Sequence, residues 1–395
     1  MKNFINHSLL PLLFILTIIA GCRNNNNYTD NCIHYVDSLR IDLGDKKLRV
    51  AFIKPELEHE IRPYALIYND HLIVLNNFGE FYTFSIDCFE RNTIFEKQLN
   101  KTYFKRAFVL GNLLYGIDEN NESLLYNDSR KNWEKVEIPL PFGAANPVYE
   151  DEKYVCYSVC HGEFGGAVFF FNKISHQTTF LPSYCLSCVM KKKDGYYVIS
   201  NLKHGSGGSN IIGINNPDSL IKYPDHLFAN DGWREMHEQK MYELEKNDTS
   251  AHSQQTTLDF CGDEILISSG FTYHDNHYFL TRMAYKTYLT KLKYDSTGAI
   301  IKKESILELP DNCIFILRHD ELDTIPAPDT IFSKLPASSG EITYKINDVT
   351  VINYARFANN SNDWLGYPSY NLLVTTFIQR DSSLIRIDWT KYEYP

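Results

Sequence analysis

Beyond its first twenty residues this chain has no apolar run long enough to cross a bilayer. It also lacks a basic stretch: 39 lysines and arginines stand against 49 aspartates and glutamates, for a formal net charge of -10. Phosphate binding needs a cationic surface, so a nucleic-acid partner is excluded. No G-x-S-x-G nucleophile turn and no H-E-x-x-H zinc helix occurs. What is abundant is aromatic: 27 Tyr and 24 Phe, residue types that favour half-buried pleated surfaces. The composition therefore points to strands, and 395 residues suffice for a sizeable core.

The chain opens with Lys2 and an apolar run from Ser8 to Ala20, too short and too asymmetric in its flanks for a spanning helix. It ends in Ile19-Ala20-Gly21-Cys22, an aliphatic residue, two small ones and a cysteine. These residues resemble the lipobox of bacterial lipoproteins. The resemblance implies a signal peptide over 1–21, lipidation at Cys22, and attachment to a membrane through that lipid. Residues 22–34 with Asn24 to Asn27 then read as a flexible tether. Arg23 stands where an inner-membrane retention aspartate would, which implies a cell-envelope, outer-membrane lipoprotein facing either the periplasm or the surface. The Asn-, Lys-, Ile- and Tyr-rich style resembles proteins of Bacteroidota. No characterised family is matched.

The body, residues 35–395, falls into short alternating runs separated by Asn, Asp and Gly, the pattern of antiparallel strands and tight turns. Successive units of four strands start near residues 64, 105, 146 and 184, with a fifth over about 256–309 and a sixth over about 341–389, a period of roughly 40 residues. The fold class is therefore all-β, a β-propeller of four-stranded blades, with six blades favoured, seven as the alternative and paired β-sandwiches as the runner-up. Strand-like pieces at 35–41 and 48–53 are placed to complete the ring by pairing with the last blade. A short inserted helix is expected at about 231–246, and the Pro-rich stretch 310–340 as an excursion.

In such a ring the loops between second and third strands gather near the channel. His161, Glu163, His204, His274, Asp275 and His277, with Arg356, Asn359, Asn360, Asp363 and Trp364, are expected to converge there. His161, His204 and His274 are the catalytic candidates; Glu163, His277, Arg356, Asp363 and Trp364 are the binding candidates. A His/Asp/Glu group of this kind can hold a metal or move protons, and ordinary polar turns are the competing reading.

Cys156-x-x-x-Cys160-His161 and Cys185-x-x-Cys188 superficially resemble haem or zinc ligation. On strands, however, Cys185 and Cys188 point oppositely, which favours a cross-blade disulfide or buried thiols. No metal and no cofactor is expected. Asp128 to Trp133 has the spacing of the aspartate box of sialidases, with Arg130 where that turn requires glycine. The function expected is a lipid-anchored, non-catalytic binding protein for a glycan, peptide or envelope partner. A polysaccharide- or peptide-active hydrolase or lyase, and a structural accessory of an envelope complex, are the alternatives.

Overall fold

The computed structural model describes residues 33–42, 47–55, 57–59, 61–138, 147–160, 166–202, 208–223, 256–261, 266–273, 276–283, 286–294, 300–309, 342–346, 349–362, 368–380 and 383–389. Its strands form six sheets. A leading hairpin, β1 (Ile33–Asp42) and β2 (Lys47–Pro55), precedes the first sheet, β3 (Ile61–Tyr68), β4 (His71–Asn76) and β5 (Phe81–Ser85). Helix α1 (Thr93–Leu99) leads to the second sheet, β6 (Phe104–Leu110), β7 (Leu113–Asp118), β8 (Ser123–Asn127) and β9 (Asn132–Lys135).

The third sheet contains β10 (Tyr149–Glu150), β11 (Tyr154–Cys160), β12 (Gly166–Asn172) and β13 (Thr178–Ser183). The fourth begins with β14 (Cys185–Lys192), β15 (Gly195–Leu202) and β16 (Gly208–Ile214). From there the chain returns to the third sheet, where β17 (Ile221–Tyr223) pairs with β13, before β18 (Thr256–Cys261) completes the fourth. The fifth sheet is β19 (Leu266–Tyr273), β20 (Asn276–Met283), β21 (Lys286–Tyr294) and β22 (Ile300–Leu309). The sixth is β23 (Ile342–Ile346), β24 (Val349–Asn362), β25 (Pro368–Arg380) and β26 (Ser383–Asp388), extended by the leading hairpin because β2 pairs in parallel with β26.

Strand alternation explains why the sheets stand face to face. On β4, Leu72 and Val74 pack against Val351, Ile378 and Ile387 of the sixth sheet, while Ile73 and Leu75 pack toward Phe104 and Leu114 of the second. On β12, Phe169 and Phe171 join Phe108 and Tyr115 of the second sheet, while Val168 and Phe170 join Val198 and Ile212 of the fourth. On β15, Val198 faces the third sheet and Ile199 meets Ile267 and Phe279 of the fifth. Successive side chains on a strand point to opposite faces, so a sheet buried on both sides reads as an unbroken apolar run such as Ala167-Val-Phe-Phe-Phe171. Six sheets packed in sequence and joined from last to first make a six-bladed β-propeller.

Two parts of the expected register differ. The run after Asn92 is helix α1 and not a fourth strand: the Asn92 side chain accepts from the Phe95 amide at 3.0 Å, and Phe95 and Leu99 bury one face. Glu96 of that helix accepts from the Thr83 amide and binds Arg91, so the helix seals the edge of β5. The other difference lies at the insertion, where β18 belongs to the fourth sheet and β17 to the third. The expected helix at 231–246 and the stretch 310–340 lie outside the described residues.

Phe169→Ala and Phe170→Ala each empty one side of the same strand. Each should lower the stability by about 3–5 kcal/mol in urea unfolding, through two different sheet junctions.

Candidate functional site

Strand direction gives the ring two rims. At the upper rim second strands hand over to third strands, as at Asn76/Phe81, Cys160/Gly166, Leu202/Gly208 and Asn362/Pro368. At the lower rim first strands hand over to second strands, as at Tyr68/His71, Leu110/Leu113, Glu150/Tyr154 and Tyr273/Asn276.

The lower rim is occupied by latches between neighbouring blades, each built on a carboxylate. Asp87 of the first blade accepts from Arg380 of the sixth at 2.7 Å. Asp128 of the second accepts from the Tyr68 hydroxyl and, at 3.0 Å, from Asn69 of the first. Glu150 of the third accepts from the Gly111 amide of the second at 2.8 Å and pairs with Lys173.

The fullest latch is Asp151. One carboxylate oxygen accepts from the Lys153 and Tyr154 amides at 2.9 Å; the other accepts from the Tyr196 hydroxyl at 2.6 Å and the Tyr149 hydroxyl at 3.3 Å and meets Lys191 at 3.3 Å. Tyr196 and Lys191 belong to the fourth blade, so one buried acid joins two blades. Burial alone would raise its pKa, but the Tyr196 hydroxyl, the two amides and the Lys191 charge outweigh that and hold the carboxyl below its usual range. Burial, and then the bond to Asp151, push the Tyr196 phenol upward.

At the upper rim the same third and fourth blades are joined covalently, by a disulfide from Cys160 at the end of β11 to Cys185 at the start of β14. Cys156 and Cys188 are left as buried thiols in two separate cores, Cys156 between the third and fourth blades and Cys188 between the fourth and fifth. That arrangement removes the four-thiolate and haem readings. Burial raises the Cys156 pKa well above that of an ordinary thiol, which keeps it protonated and unreactive.

The upper rim also displays aromatic rings. Phe78 (61% exposed) tops the β4–β5 turn, Tyr103 (52%) precedes β6, and Tyr184 (41%) links β13 to β14. The other large exposed apolar side chains among the described residues are aliphatic: Leu113 and Ile174 at the lower rim and Ile94 on α1. The Phe78 turn is held firmly, because the Asn76 side chain accepts from the Phe78 and Glu80 amides at 2.9 Å and the Phe104 amide donates to Gly79 at 2.9 Å. Gly79 is at φ +87, and a Cβ there would lie 2.7 Å from the Phe104 carbonyl oxygen, so only glycine permits this approach. The His59 ring stands edge-on to Phe78 with centroids 4.8 Å apart.

Of the residues expected to converge, Cys22, His161, Glu163, His204, His274, Asp275, Asp363 and Trp364 lie outside the described residues. Of the others, His277 is not with the turns between second and third strands: it lies near the start of β20 at the lower rim, half-buried with its ring edge-on to Tyr197 and the centroids 5.2 Å apart. The physical reason is the strand count: Thr256–Cys261 closes the fourth blade, so β19 is a first strand and its turn faces the opposite way. Arg356 lies within β24 opposite Leu373, with Asn359 and Asn360 further along that strand. Asp128 caps no sialidase-type box: its turn takes positive φ at Lys131, and the Trp133 indole donates to the Leu99 carbonyl at 2.8 Å.

Among the described residues no group of His, Cys, Asp and Glu is arranged to hold a metal, and no helix is long and apolar enough to cross a membrane.

Asp151→Asn should lower stability by about 1–3 kcal/mol at neutral pH. The lowered folded-state pKa makes the Asp151 contribution complete above the unfolded carboxylate value near 3.9, and lost as pH falls through the folded value. Denaturation midpoints followed from pH 6 down to pH 2 should therefore fall less steeply in the variant than in the wild type. Separately, Cys185→Ser should cost about 2–4 kcal/mol, and a reducing agent should weaken the wild type but not the variant.

No family model and no curated protein matches the chain. Among solved structures it is similar to the crystal structure of BamB from Moraxella catarrhalis, at 9% identity and a TM-score of 0.36, over 82% of this chain and 97% of that one.

Proposed function

We propose that this protein is a lipid-anchored propeller of the bacterial cell envelope that works by binding rather than by catalysis, with its upper rim as the binding face. The observation that carries this reading is the set of exposed rings at the upper rim. The carboxylate latches Asp87, Asp128, Glu150 and Asp151 stand at the lower rim, whereas the upper rim displays Phe78, Tyr103 and Tyr184, with Phe78 on a turn stiffened by several hydrogen bonds. Rigid presentation of aromatic side chains lowers the entropy lost on association, which suits recognition.

Two further features support the envelope. The Cys160–Cys185 disulfide joins half-buried cysteines, and such bonds persist in oxidising compartments. The lipobox ending in Cys22 supplies an export route and a lipid, with the outer membrane as the destination. On this reading the partner of the upper rim is a component of the envelope.

Cys22→Ala should move the protein from the membrane to the soluble fraction and abolish incorporation of labelled fatty acid. A variant with His161, His204 and His274 all changed to alanine should rescue a deletion strain as well as the wild type does. Failure of the triple variant to rescue, at normal protein levels, would return the catalytic reading.

A further inference from the structure

We infer that the upper rim is seated on the lipid surface itself, with Phe78, Tyr103 and Tyr184 at the level of the headgroups; this rests on the lipid-anchor reading of Cys22. The first support is where the tether ends. Ile33, the first residue of β1, pairs with Pro55 at the end of β2, and the chain then enters β3 at Ile61, which is an upper-rim end. The anchor therefore joins the ring at the upper rim. Ile33 is eleven residues on from Cys22. A flexible polar linker of that length has a relaxed span of about 18 Å and a fully drawn length of about 40 Å. A strand such as β12, with seven residues, gives the ring a height of about 23 Å. For the lower rim to face the bilayer, the tether would have to climb that height first, beyond its relaxed span. With the upper rim down it stays near that span.

The second support is independent of the tether and lies in the kind and spread of the exposed side chains. Amphipathic and aromatic rings are favoured at the membrane–water interface. Among the described residues the three large exposed aromatics are on the upper rim, and the exposed aliphatic residues lie elsewhere. The rings do not line one pocket: Phe78 and Tyr103 belong to the junction of the first two blades, Tyr184 to that of the third and fourth. A compact sugar or a single peptide side chain cannot touch both places, whereas a plane can.

The test uses the full-length acylated protein with a photoreactive benzoylphenylalanine introduced singly at Phe78, Tyr103 or Tyr184, or at Leu113 or Ile174 as lower-rim controls. All five side chains are exposed, so the fold should tolerate each replacement, and unchanged thermal unfolding will show that it does. Each protein is reconstituted into vesicles of phosphatidylethanolamine and phosphatidylglycerol carrying a radiolabelled phospholipid, and is then irradiated. Several-fold more lipid adduct from the three upper-rim positions than from the two controls is the expected result. Equal labelling of both rims, an excess at the lower rim, or protein–protein adducts in place of lipid would overturn the orientation. Intact-protein mass separates this from failure of the anchor: a diacylglyceryl mass on Cys22 with any of those outcomes leaves the anchor standing, and absence of that mass overturns both.

Discussion

Burial of both faces of a sheet, as on β4, β12 and β15, is the constraint on which this structure depends. A strand such as β12 sends Phe169 one way and Phe170 the other, so no sheet can be satisfied by a single neighbour. A row of such sheets would always leave two unsatisfied faces at its ends, and bending the row into a ring removes them. The sixth sheet meets the first through Val351, Ile378, Ile387 and Trp389 packed on Leu72, Val74 and Phe84. Pairing of β2 with β26 then ties the beginning of the folded chain to its end.

The junction between the third and fourth blades is reinforced in three different ways. Asp151 gathers hydrogen bonds from both blades at the lower rim, Cys160 and Cys185 bond at the upper rim, and β17 carries the chain back from the fourth blade to the edge of the third. This is also where the long insertion leaves and re-enters the sheets, between Tyr223 and Thr256. Joining the blades on both sides of that departure keeps the excursion from loosening the ring.

Much of the architecture was legible from the sequence because two-sided burial leaves a strong mark. Runs such as His71-Leu-Ile-Val-Leu-Asn76 are apolar at every interior position, and their recurrence located most of the strands, including the leading pair that completes the ring. The exceptions are physical. Thr93-Ile-Phe-Glu-Lys-Gln-Leu99 has strand-like residues, but the Asn92 cap and the Glu96–Arg91 pair decide for helix. Ile221-Lys-Tyr223 is too short to show which sheet it serves.

The same miscount of one strand grouped His277 with the turns between second and third strands, whereas β20 carries it at the opposite rim. The Asp151 latch left no local signal, because its partners Tyr196 and Lys191 are distant in sequence. A repeat signal was present in the turns: Ser85, Asn127 and Asn172 each open a tight connection that reaches positive φ four residues later, at Phe89, Lys131 and His176.

The parallel pairing of β2 with β26 carries a kinetic consequence. Arg49 of one strand pairs with Ser383 of the other, so this contact closes a very long loop. Pairings of that kind form late, because almost the whole loop between them must be ordered first. Until β26 arrives, the β1–β2 hairpin is an unsatisfied edge of the kind that invites mispairing with other chains. The seam between the sixth and first blades is thus the last part of the ring to form, and the interval before it closes is when the nascent protein is most exposed to aggregation.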